Sequence, residues 1–213
     1  MIRISKKRYG FPTSTVWIIL CLLILTAGKQ NQDNTPAPQA TTVSINGKDY
    51  PVRTIGNQVW TVANYEGPGG IAYGTGNEKS EYGRYYTLDE AKAIVVPAGW
   101  RLPTRQDYTT LAESQGVVFS ANRATAQEAI KKLTSTTNWR TIPGTNASGF
   151  NAYPAGYSYQ NSAPIDGDIS EFWTAEGTTF SIQEDAQGKA HNIVFYGNES
   201  VGYRFNVRFV KNT

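Results

Sequence analysis

The chain has 213 residues, with 20 Lys plus Arg against 17 Asp plus Glu, one histidine and one cysteine. Four of the cations, Arg3, Lys6, Lys7 and Arg8, stand ahead of one apolar run, so the chain beyond residue 28 carries 16 basic against 17 acidic side chains, a formal charge of −1. A near-neutral body with scattered cations excludes nucleic acid as partner, and Cys21, inside the apolar run, leaves the remainder with neither a disulfide nor a thiol nucleophile.

Residues 1–28 read as a cleavable signal peptide. The positive start is followed by Val16 to Ala27, twelve near-apolar residues, whereas a membrane-crossing helix needs about twenty. Thr26, Ala27 and Gly28 put small residues before Lys29, where a signal peptidase cuts. Cys21 follows bulky Leu20 and so lacks the setting of a lipid acceptor. Residues 29–41 have little to bury and read as a disordered linker. The expectation is an exported protein of the periplasm or outer cell surface, without a permanent membrane span, carrying one domain over residues 42–213.

That domain opens as a β-meander: Thr42 to Ile45, a turn at Asn46-Gly47, Asp49 to Ile55, a turn at Gly56-Asn57, then Gln58 to Val62. Asn-Gly supplies the positive φ angles of a tight hairpin. Tyr65 to Arg84 is glycine-rich and reads as a long surface loop. Three helices follow, each after a Thr with an acidic residue three positions on: Leu88 to Ile94 after Thr87, Arg105 to Gln115 after Thr104, and Ala126 to Leu133 after Thr125. In the second, Tyr108, Leu111 and Ala112 share one face, which should pack. Beyond Trp139 come short strands, Phe172 to Thr174 and Phe180 to Gln183, and then the strongest strand signal, His191 to Tyr196 with Tyr203 to Val210. These two read as a hairpin, with Tyr203, Phe205, Val207 and Phe209 on a core face and Arg204, Asn206 and Arg208 on a wet one. First and last segments are both strands, so they are candidates to share a sheet.

Catalytic chemistry is hard to place. His191, the only histidine, reads as a surface or edge-strand residue; a zinc site would need several His or Cys ligands. The glycines between 67 and 76 lack the Gly-Lys-Ser/Thr of a phosphate loop. Asp166, Asp168 and Glu171 put three carboxylates within six residues, and calcium is the one cofactor such a cluster could hold, though the spacing is not that of a calcium-binding loop. Tyr157 and Tyr159, in a loop of small polar residues, suit ligand contact as well as they suit anchoring the loop in a core.

Several segments together resemble one family: Ile55-Gly56-Asn57-Gln58-Val59-Trp60, Gly83-Arg84-Tyr85-Tyr86-Thr87, Pro97-Ala98-Gly99-Trp100-Arg101-Leu102-Pro103-Thr104, Ser148-Gly149-Phe150 and Val207-Arg208-Phe209-Val210-Lys211. They look like the Fibrobacter succinogenes major paralogous domain, found in exported and surface proteins of Bacteroidota. The resemblance implies an α+β, C-type-lectin-like fold, shared with formylglycine-generating enzymes, with short helices, antiparallel sheet and long irregular loops. Trp60 is expected to be structural, and the Gly-Trp-Arg-Leu-Pro-Thr block also has a physical reading in which Trp100 and Leu102 plug the core while Pro103 rigidifies entry to the helix capped by Thr104. Where the family often has two cysteines this chain has Val96 and Phe209, an apolar pair expected to touch. The related enzymes use active-site cysteines, so no catalytic residue is expected here. The expected function is a non-catalytic binding or adhesion module directed at a glycan, with Tyr157, Tyr159, Asp166, Asp168 and Glu171 as ligand contacts; the alternative is a protein-binding or structural component of a surface assembly.

Overall fold

The computed structural model describes residues 41–74, 79–197 and 201–213. The expected signal peptide and all but the last residue of the expected linker lie outside these residues. The described chain is mostly short antiparallel strands with few, short helices. In chain order these are β1 (Thr41–Ile45), β2 (Lys48–Ile55), β3 (Gln58–Thr61), β4 (Ile71–Ala72), β5 (Arg84–Tyr85), α1 (Leu88–Lys92), α2 (Arg105–Glu113), β6 (Arg123–Ala124), β7 (Ser158–Tyr159), β8 (Ile169–Trp173), β9 (Thr179–Glu184), β10 (His191–Tyr196), β11 (Tyr203–Arg204) and β12 (Val210–Asn212).

The expected meander forms. Asn46 and Gly47 adopt φ 51° and 79°, so Ile45 pairs with Lys48 across a two-residue turn, as a primed hairpin turn requires. One four-stranded sheet runs β1-β2-β3-β12, so the last strand does join the first in one sheet; a second runs β6-β10-β9-β8. Residues alternate across a strand, and Phe172, Phe180, Ile182, Ile193 and Phe195 of the second sheet pack with Trp60, Phe150 and the Tyr108, Leu111 and Ala112 face of α2. Tyr108 stacks on Phe180 at 4.5 Å. Each such large side chain contributes about 1.5–3 kcal/mol by leaving water.

Thr87 and Thr104 cap α1 and α2 in full capping boxes with Glu90 and Asp107. The third expected helix is only a 3-10 turn, Glu128–Lys132, without a side-chain cap. Tertiary contacts overrule its capping signal. Ala126 sits at φ 51° and donates its N–H to Asn192, while the Gln127 amide brackets the backbone of Val118 from both sides.

The expected terminal hairpin does not form. β10 pairs with β9 and β6, β11 with β7, and β12 with β3. Between β11 and β12 the chain acts as a seam: Phe205 bridges Tyr86 and Asn206 bridges Phe172, and the carbonyls of Val207 and Phe209 accept from Tyr65 and Thr61. Its expected wet face is therefore inside. Asn206 and Arg208 are fully buried, because the irregular stretches around them leave backbone carbonyls that need donors. Asn206 donates to the carbonyls of Tyr82 and Arg84. Arg208 donates to Asn64 and to the carbonyls of Thr61, Phe150 and Asn151.

Candidate functional site

The face of the second sheet opposite Phe172, Phe180 and Ile182 carries a different set of residues. Antiparallel register places Ile169 opposite Gln183, Glu171 opposite Ser181 and Trp173 opposite Thr179, and continues to Asn192, Val194 and Tyr196 on β10. Because side chains on directly paired positions share a face, this surface is polar along its floor. The Tyr157 loop and the first residues of the seam pass over it. Between floor and overpass lies a cleft of about 280 Å³: Tyr157, Tyr203 and Phe205 form its wall, and Ile169, Glu171, Gln183 and Tyr196 complete it.

The wall is a run of packed rings. Tyr203 lies 5.7 Å from Phe205 with an interplanar angle of 6°, 5.7 Å from Tyr157 and 4.8 Å from Tyr159. On the floor, the Thr179 hydroxyl donates to the Glu171 carboxylate at 2.7 Å, and the Tyr196 hydroxyl donates to Gln183 Oε1 at 3.3 Å. Glu171 is 4% exposed. The Ser181 hydroxyl, on the same face, is buried without a hydrogen-bond partner among the described residues.

The backbone fixes this wall firmly. Gly156 donates its N–H to the carbonyl of Ile169 at φ 66°, and a Cβ there would fall 1.5 Å from the carbonyl oxygen of Ile165, so only glycine allows that approach. Tyr157 then bridges Ile165, and Tyr159 pairs with Tyr203. Arg204 clamps the assembly, forming an ion pair with Glu90 and donating to Asn161 at 2.7 Å. Burial alone would raise the Glu90 pKa, but the Thr87 N–H and the Arg204 guanidinium outweigh it and hold the carboxyl below its ordinary value.

The expected ligand residues divide. Tyr157 and Glu171 meet in the cleft, and Tyr159 stands at its rim on Tyr203. Asp166 and Asp168 do not join them: Asp166 pairs with Lys79 at 2.7 Å and Asp168 with Arg140 at 2.6 Å, each drawn to its own cation across the turn at Gly167, φ 102°. Among the described residues no group of three or more His, Cys, Asp or Glu side chains is placed to hold a metal ion. The carbonyls of Gly69 and Gly70 accept from Arg84, so that loop offers acceptors to a cation rather than donors to a phosphate.

Of the structural residues, Trp60 and Phe209 are buried. Val96, Trp100 and Leu102 are half-buried against the apolar cluster that contains Phe209, so Trp100 is a lid with Lys211 over its ring rather than a plug. His191 is neither at the surface nor at an edge: it is 1% exposed and lies 4.5 Å from the Trp139 ring. Sequence reasoning missed Gln183, Tyr196 and Tyr203. The alternating pattern around Tyr203 assigned it to the core, against which it does pack half-buried, but gave no sign that the same ring also lines the cleft. Among the described residues no helix is long and apolar enough to cross a membrane.

The family model of the Fibrobacter succinogenes major domain matches residues 52–211. The chain belongs to that family. No curated protein and no solved structure matches it.

Proposed function

We propose that this member of the Fibrobacter succinogenes major domain family is a non-catalytic carbohydrate-binding module of an exported protein, working in adhesion in the periplasm or on the outer cell surface. The supporting observation is the cleft in which Tyr157 and Tyr203 face the polar floor of Glu171 and Gln183. A pyranose offers an apolar C–H face to an aromatic ring and a rim of hydroxyls to paired donors and acceptors, and a concave aromatic site with a few placed polar groups suits both. Among the described residues that line the cleft Glu171 is the one carboxylate, whereas hydrolysis of a glycosidic bond ordinarily uses two carboxyl groups about 5–10 Å apart; this favours binding over cleavage. The C-type-lectin-like architecture implied by the family resemblance agrees with the short helices, antiparallel sheets and long loops. Calcium remains the cation to test alongside the glycan.

A thermal-shift panel of bacterial and plant polysaccharides, with and without calcium, tests the reading. A ligand that binds only the folded state raises its Tm. One glycan class should raise the Tm of the wild type and leave Tyr157→Ala unmoved; silence across the panel would remove the proposal.

A second reading, a protein-binding component of a surface assembly, draws on Tyr159, Ile165, Tyr196 and Val201, large apolar residues that are exposed; Tyr196 lines the cleft, Tyr159 packs on its Tyr203, Ile165 bridges Tyr157 and Val201 lines the neighbouring cleft. Exposed apolar patches of this kind mark contact surfaces. Retention of a partner by wild type and by Tyr157→Ala alike, with no glycan response in either, would favour it.

A further inference from the structure

We propose that the cleft is the middle of a continuous groove across the outer face of the second sheet, and that its ligand is the interior of a neutral, linear glycan several units long rather than a terminal sugar. The inference rests on the carbohydrate reading above.

Three clefts lie side by side on this face. The central one shares Tyr203 with a second cleft of about 280 Å³, lined by Thr87, Leu88, Asp89, Trp173, Val201 and Gly202 as well. On the other side it shares Gln183 with a smaller cleft of about 90 Å³, lined also by Arg123, Thr125, Asn192 and Val194. The register explains the alignment. Trp173, Gln183, Asn192 and Val194 all belong to the face opposite Phe172 and Phe180, Trp173 with its ring packed on Phe205, and β10 carries it on to Arg123 of β6. Crossing from β8 to β6 takes three inter-strand steps, roughly 14 Å, more than one sugar ring fills. A ligand seated between Tyr203 and Gln183 therefore has a further cleft adjoining it on each side.

Aromatic and polar groups recur along the groove, as a chain ligand of repeating units needs. Ring surface stands at Tyr157 and Tyr203 in the middle and at Trp173, beside Leu88, at one end. The ends offer polar side chains that suit hydroxyls: Thr87 and Asp89 on one side, Arg123, Thr125 and Asn192 on the other. Asp89 and Arg123 carry opposite charges, and the central carboxylate is Glu171, so a polyanionic chain meets repulsion at two of three positions. A neutral polysaccharide meets none.

Affinity as a function of chain length tests this. The probes are size-separated oligomers, monomer to hexamer, from cellulose, xylan, mannan, chitin and polygalacturonan, titrated into the full chain. For one neutral series the affinity should rise roughly tenfold or more between dimer and hexamer. Arg123→Ala and Asp89→Ala, both at exposed positions, should each weaken hexamer binding about two- to tenfold, the worth of one hydrogen bond, and leave dimer binding unchanged, while Tyr157→Ala weakens both. Equal affinity for monomer and hexamer, or a preference for polygalacturonan, would overturn the groove and leave the carbohydrate site standing. Binding of no series would end both.

Discussion

Arg208 donates its Nε–H to the Asn64 side-chain oxygen at 2.6 Å in the closed interior of the domain. Among the described residues its other partners are three backbone carbonyls and no carboxylate, and the guanidinium lies over the rings of Phe150 and Phe172. Burial pushes its pKa down to about 9, which leaves it charged at neutral pH. One side chain thus joins β3, the 150–151 stretch and the seam.

Removing that side chain should be among the most damaging single changes. Arg208→Met leaves four acceptors in the interior unpaired and is expected to cost about 3–5 kcal/mol. Asn64→Ala removes one acceptor and should cost about 1–3 kcal/mol. Urea denaturation of both variants and the double variant measures it. Additive losses would mean that the two residues are not coupled, against this account.

Asp107 is the second buried hub. It accepts from Thr104, Arg101 and Gln58, and although burial opposes its charge, the Arg101 and Thr104 hydrogen bonds hold its pKa below the ordinary value. A carboxylate whose folded pKa is depressed contributes stability that is full above its unfolded pKa, near 4, and is lost as pH falls through the folded value. Asp107→Asn should cost about 1–3 kcal/mol at neutral pH and flatten the loss of Tm below about pH 4. An acid limb identical to wild type would count against the role assigned here.

His191 acts in a higher pH window. Burial lowers its pKa to about 4 from 6.5, and the carboxylates of Glu184, Asp185 and Glu128 do not offset this, with Lys131 adding to the depression. The unfolded chain takes up the proton first, so stability from the neutral imidazole is full above about 6.5 and drains away as pH falls toward about 4. Neither ring nitrogen has a hydrogen-bond partner among the described residues. His191→Leu should fold at neutral pH and show a flatter Tm between pH 6.5 and 4 than wild type; the opposite slope would refute the assignment.

Gly156 ties the fold to the cleft. In Gly156→Ala the new methyl collides with the carbonyl of Ile165, so the two ends of the Tyr157 loop must move apart. The variant should lose ligand response more than it loses Tm. Preserved binding with full stability would show that Tyr157 does not depend on this contact.

Much of the first sheet was legible, because a meander closes locally and Asn46-Gly47 dictates its own turn. The capping boxes at Thr87 and Thr104 were equally local. What failed was non-local. Alternation along 203–210 announced a strand but not its partners, and several different partners, β7, Tyr86, Phe172 and β3 among them, took it, drawing Arg208 inward. Thr125 and Glu128 had the spacing of a cap, yet Asn192, remote in sequence, captured Ala126 instead. The site was half legible for the same reason: Tyr157 and Glu171 were visible as residue types, whereas Asp166 and Asp168 were claimed by Lys79 and Arg140. Tyr196, Tyr203 and Gln183 became neighbours only through strand pairing.

The most direct measurement of the central claim is an amide chemical-shift titration of the folded protein with hexamers from the neutral polysaccharide that raises its Tm. The account predicts that the shifts which move are those of Tyr157, Glu171, Gln183, Tyr196 and Tyr203, with Arg123 and Asp89 following for hexamers and not for dimers. Shifts that move on another face of the domain, or none that move at saturating ligand, would contradict it.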